Sequence, residues 1–285
     1  MPTPSSDITR RGGGASGSST TPPGYPRPSA HPATAPERAP GYLHPATAPG
    51  YPGAMPTPRA PIERDPEPFE GFGPHALDFF ERLEIDNTRA FWLANKAKYD
   101  AEIAAPMQAL AGELAPRFGE PKVFRPYRDV RFSEDKTPYK TNAGLGFFGS
   151  AVGGFYLDLS PAGLMLAGGM WEPARDQLDR FRDLQGDEKV TRSLDALLPQ
   201  LAAAGFPLGE GDPLKTAPRG RDRDHPRIDM IRRTRLTVSH VFEPEPWFFD
   251  RELLDRVEEG FATVARWNSW LAEHVGQTEL PERAW

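Results

Sequence analysis

Arg125, Arg128, Arg131, Lys136 and Lys140 recur at intervals of three to five positions around Asp129 and Asp135, with Tyr127 and Tyr139 interleaved. Guanidinium forks and ammonium heads presented on one short segment suit a phosphate or carboxylate ligand, and a carboxylate among them can fix the forks before the ligand arrives. From Lys122 to Thr141 six cations stand against three acids, a balance of +3 within a chain of formal charge -6. Read as an extended strand, 123–132 puts Arg125, Tyr127, Asp129 and Arg131 on one face. Asp129 then sits between two guanidiniums, where its role is to orient rather than to react. The turn composition of Ser133 to Pro138 brings Lys136, Tyr139 and Lys140 back over the same surface. The candidate ligand-binding residues of this segment are therefore Arg125, Arg128, Asp129, Arg131, Asp135, Lys136, Tyr139 and Lys140. The same side chains could instead neutralise one another as ion pairs that pin a loop to a sheet, or lie along a solvated edge.

His225, flanked by Asp224 and Pro226, completes the candidate set: an imidazole beside a carboxylate at a helix start can act as a general base, or simply cap the helix. His240 shares a strand face with Leu236, Val238 and Phe242 and reads as a core histidine. The other histidines are scattered and cysteine is absent, so no metal-ligand spacing is visible and no metal or cofactor is called for. Phosphate-loop, dinucleotide-binding and nucleophile-elbow patterns are missing as well. An enzyme built on this chain would draw its chemistry from Asp129, Asp135, Lys136, Tyr139 or His225. Gly168-Gly169 followed by Pro173 resembles a glycine turn feeding a helix N-terminus, an anion site in other settings, but Glu172 and Asp176 already supply that helix start with negative charge.

The elements that must carry these residues are legible in outline. Residues 1–65 are rich in Pro, Gly, Ser, Thr and Ala with near-repeats of Pro-Gly-Tyr, and read as a disordered arm that cannot build a core. Met1-Pro2-Thr3-Pro4 recurs at Met55-Pro56-Thr57-Pro58, which makes Met55 a second candidate start. Residues 66–275 read as a single α+β domain with a central, mainly antiparallel sheet packed by helices, and 276–285 as a short tail. Pro74 opens a helix with Leu77, Phe80 and Leu83 on one face. Asp86 or Asn87 caps a second helix with Trp92, Tyr99 and Ile103, and Pro106 restarts or kinks it. Strands are expected at 123–132, Leu145–Phe148, Phe155–Leu159 and Leu164–Ala167, the last two joined by hairpin chemistry at Ser160-Pro161-Ala162-Gly163 and the last closed by Gly168-Gly169. Helices near 173–184 and 188–204, a short one after Pro226, a strand at 235–242 and a final helix from Asp250 complete the set. No apolar run approaches the ~20 residues of a membrane span, so a soluble cytoplasmic protein is expected.

Lys215 to Arg235 is a second basic stretch, with eight cations against three acids. Joined to the first, it would give a nucleic-acid surface, the main rival to a small anionic ligand. A third reading is a non-catalytic interaction module whose ionic cluster is structural.

The run Arg125-x-x-Arg128-Asp129-x-Arg131-Phe132-x-x-Asp135-Lys136-x-x-Tyr139 resembles the signature of the family called domain of unknown function 2461. The resemblance extends to Asn87, Trp92, Lys96 and Tyr99, to Ala167-Gly168-Gly169 and to His225-Pro226, and so covers roughly 69–275. It implies that 69–275 is one domain, and brings no substrate, cofactor or catalytic residue with it.

Overall fold

The computed structural model describes residues 67–131, 135–149 and 152–281. The arm expected over 1–65 and the alternative start at Met55 lie outside them. The first helices form as their apolar spacing requires: α1 (Ala76–Ile85) buries Ala76, Phe79, Phe80 and Leu83. Thr88 caps α2 (Arg89–Tyr99), not the expected Asp86 or Asn87: its Oγ1 accepts from the Phe91 amide at 3.2 Å. Asn87 is spared for another task. Pro106 falls where the helix restarts: one π-helical stretch, Asp100–Ala104, follows α2, and Pro106 stands in the first turn of α3 (Ala105–Phe118). Pro106 has no N–H to return to Glu102, and the Glu102 carbonyl accepts from the Gly73 amide at 2.8 Å instead.

Five strands then pair in chain order, each antiparallel to the next: β1 (Pro121–Val123), β2 (Ala143–Phe147), β3 (Gly154–Ser160), β4 (Gly163–Met170) and β5 (Leu236–Phe242). The expected Ser160-Pro161-Ala162-Gly163 hairpin joins β3 to β4. Two expectations fail. The strand over 123–132 stops at Val123, because Pro126 has no N–H for a ladder. The chain beyond it folds back on itself, with Arg128 N–H to Pro138 O at 2.9 Å and Lys140 N–H to Pro126 O at 2.7 Å. Nor do Gly168 and Gly169 close β4: they lie within it, paired with Phe155 and Gly154 on one side and Val238 and Thr237 on the other.

Alternation sorts the sheet into two faces. Leu145, Phe147, Phe155, Leu157, Leu166 and Val238 point inward and are buried. Against them pack α3 and the 23-residue α7 (Glu252–His274), whose Val257, Phe261, Val264 and Trp267 are also buried. Phe118 on α3 meets Phe155 and Phe261, each at 5.1 Å between ring centroids. Each such side chain contributes about 1.5–3 kcal/mol through burial. Between β4 and β5 the chain forms α4 (Arg175–Asp183), α5 (Glu188–Ala203) and α6 (Ile228–Ile231). His240 is a half-buried packing residue as expected, its Nδ1 2.8 Å from the Gly205 carbonyl oxygen. On the outer face lie Lys122, Gly144, Gly146, Tyr156, Asp158, Met165 and Ala167, and several of them remain part-exposed. No described helix is long and apolar enough to cross a membrane.

Candidate functional site

The 124–142 connection between β1 and β2 is held on the helical hairpin by α2 and the residue pair before it. The Asn87 side chain grips the backbone of Tyr139 from both sides: its Nδ2 donates to the Tyr139 carbonyl and its Oδ1 accepts from the Tyr139 amide, both at 3.0 Å. A carboxamide used this way replaces one rung of a β-ladder. Trp92 stacks on the Tyr139 ring at 4.3 Å with an interplanar angle of 9°, and Tyr127 and Tyr99 close around the same indole. Burial, aided by Asp100, pushes the Tyr99 phenol up to about 12, so it stays neutral. Asn87→Ala strands two part-buried backbone groups. It is expected to cost about 1–3 kcal/mol and to speed amide exchange at Arg128 and Lys140, as measured by urea unfolding and hydrogen exchange.

Within the connection the charged residues fall into two groups. Arg131 is forked onto Asp129, with Nε 3.0 Å from Oδ1 and Nη2 2.7 Å from Oδ2. These bonds, with the Arg131 amide, hold the Asp129 carboxyl down at about 2. Arg125 reaches Asp129 only through its field, so Asp129 is a partner of one guanidinium and not a bridge between two. Asp135 accepts from the Thr137 amide at 2.9 Å and the Thr137 hydroxyl at 2.8 Å, and pairs with Arg128; its carboxyl is likewise held at about 2. Lys136 donates to the Val130 carbonyl at 3.0 Å. These pairs are exposed and add little to stability one by one, but they fix the shape of the turn.

Lys122, Arg125 and Lys140 form the second group. Among the described residues none of them has a carboxylate within ion-pair distance. The ammonium groups of Lys122 and Lys140 each lie 5.3 Å from the centroid of the Phe124 ring. Burial and the neighbouring Arg125 push the Lys140 ammonium below its ordinary range, while Asp158 pulls it back up.

Asp158 is the residue the sequence reading missed. It stands on the outer face of β3 between Gly144 of β2 and Met165 of β4, and is only 6% exposed. Its Oδ1 accepts from Asn142 Nδ2 and, at 3.1 Å, from the Tyr156 hydroxyl. Burial pushes the carboxyl upward, against the pull of those bonds and of the Lys140 charge. A Cβ at position 144 would come within 2.7 Å of the Tyr156 oxygen, so glycine there leaves room for the hydroxyl that holds Asp158. The signal was in the strand itself. Phe155-Tyr156-Leu157-Asp158-Leu159 sets a residue of poor strand propensity where an outward-facing one must lie, and Gly144 and Gly146 strip the neighbouring strand of side chains on that face.

His225 is elsewhere. Its Nδ1 accepts from the Arg227 amide at 3.0 Å at the start of α6, and Arg227 in turn holds Asp195 at 2.8 Å. No contact among the described residues joins it to 125–140. The 215–235 stretch leads into β5, whereas 124–142 follows β1, and these strands are the two opposite edges of the sheet. Several of its arginines are engaged: Arg221 with Asp183, Arg227 with Asp195 and Arg235 with Asp212. Two shallow clefts, of about 780 and 540 Å3, flank the exposed Trp171 near the far end of β4. Arg235 lies over that indole at 3.7 Å, and Phe148, which lines the smaller cleft, packs edge-on to Phe124 at 6.2 Å.

The antiparallel five-stranded sheet packed by helices makes this an α+β protein. The chain belongs to the family described as "Conserved hypothetical protein (DUF2461)", whose model matches residues 75–270. No curated protein matches it.

Proposed function

We propose that the protein binds a phosphate- or carboxylate-bearing small molecule on the outer face of the sheet. Arg125 and Lys140, with Lys122 at the rim, supply the charge. Arg128, Asp129, Arg131, Asp135, Lys136 and Tyr139 hold the connection that presents them. One observation carries this reading: the Lys122 and Lys140 ammonium groups each lie 5.3 Å from the Phe124 ring, and neither they nor Arg125 has an acid at ion-pair distance among the described residues. Cations gathered without a partner repel one another, and a bound anion removes the repulsion. The cysteine-free chain suits a cytoplasmic setting.

Titration of the full chain with inorganic phosphate, followed by amide chemical shifts, tests the proposal. Saturable shifts centred on Lys122–Arg125 and Lys140 are expected, with a Kd on the order of 1 mM or tighter. Shifts confined to the Trp171 clefts, or none at all, would refute it. An enclosed anion should lose less affinity with added salt than a nucleic acid spread over many phosphates.

A further inference from the structure

Asp158 offers something that an anion site alone does not need. Both hydrogen bonds the described residues make to it end on Oδ1. None reaches Oδ2, although the residue is 6% exposed. Oδ2 is not one of the sealed, unpaired polar atoms among the described residues, so it stays open to a donor that arrives from outside. The cations stand beside it: the Phe124 ring, 5.3 Å from the Lys140 ammonium, meets edge-on at 5.9 Å the ring of Tyr156, whose hydroxyl donates to Asp158, and no Lys140–Asp158 ion pair forms at contact distance.

The identity of the missing donor follows from the neighbours. An ammonium on the ligand would meet the repulsion of Lys140 and Arg125, whereas a hydroxyl is neutral and donates to a carboxylate at little desolvation cost. The anionic end is constrained too. Lys122, Arg125 and Lys140, which have no acid at contact distance among the described residues, match a dianion better than a single carboxylate. We infer that the ligand is a hydroxylated phosphomonoester, a polyol or sugar phosphate, whose phosphate rests among Lys122, Arg125 and Lys140 and whose hydroxyl donates to Asp158 Oδ2. This rests on the anion-site reading above and adds to it a specificity-determining residue.

Glycerol 3-phosphate and n-propyl phosphate share a charged group and a size and differ by two hydroxyls. Calorimetric titration of the full chain is expected to give a preference of about tenfold for glycerol 3-phosphate, the scale of one hydrogen bond to a charged acceptor. In Asp158→Asn the preference should fall to within about twofold, while n-propyl phosphate binds as well as before or better, because a negative charge has left the site. In the wild-type chain, glycerol 3-phosphate alone should shift the amides of Gly144 and Met165, the cross-strand neighbours of Asp158. That readout and the wild-type preference stand even where the variant does not fold. Equal affinities in the wild type, or a loss of both ligands in Asp158→Asn with their ratio unchanged, would overturn the role of Asp158 and leave the anion site standing. Failure of either ligand to bind the wild type would overturn both.

Discussion

Replacing Arg125 and Lys140 together with alanine is expected to lower the affinity for phosphate or glycerol 3-phosphate by about 100-fold, the combined effect of two charge-assisted contacts. The thermal midpoint should hardly move. Neither side chain has an acid to lose among the described residues, the Lys140 amide keeps its bond to the Pro126 carbonyl, and removing two neighbouring cations relieves a repulsion. Arg128→Ala provides the contrast. It severs the pair with Asp135 and should loosen the connection, so that binding and hydrogen-exchange protection fall together. Calorimetry and thermal melts on the two variants separate a residue that meets the ligand from one that shapes the loop. Unchanged affinity in the double variant would move the search to the clefts around Trp171.

Gly169→Ala should be among the most damaging single-methyl changes in the domain, at about 4 kcal/mol or outright failure to fold. Gly169 sits at φ +107, a conformation alanine resists, and its new Cβ would lie 2.1 Å from the Leu236 carbonyl oxygen. That oxygen cannot retreat easily, since it also accepts from Trp267 Nε1 at 2.9 Å. The substitution therefore strains β4, β5 and α7 at once. Urea unfolding reads the effect, and a loss below about 1 kcal/mol would show that the strands can separate locally without cost.

What could be read from the sequence was what depends on short-range periodicity. The apolar spacing of α1, the hairpin at Ser160–Gly163 and the packing role of His240 all follow from neighbours three, four or two positions apart. Misreadings arose where a single proline or glycine redirected the backbone. Pro126 ended a strand that its aromatic and branched neighbours favour, and Gly169 continued one that glycine usually ends. The site was half legible for the same reason. A dense run of charge pointed to 125–140, but which cations are spent depends on how that run folds back, and this pairs Arg128 with Asp135 and Arg131 with Asp129. Asp158 lies 18 positions beyond Lys140, and only the register of β2 against β3 brings it under the same surface.

The order of the strands bears on how the chain is made. Since β1 to β4 follow one another without crossing, the residues of the candidate site are all synthesised by Asp158, long before Glu252–His274 leaves the ribosome. Until then Leu157, Leu166 and Val238 have no lid, and a stalled or truncated product ending before Glu252 would present a wide greasy surface to its neighbours. The last helix is thus the step at which a nascent chain passes from sticky to safe, and frameshifts within it should send the protein to aggregates or proteases with the 124–142 connection already made.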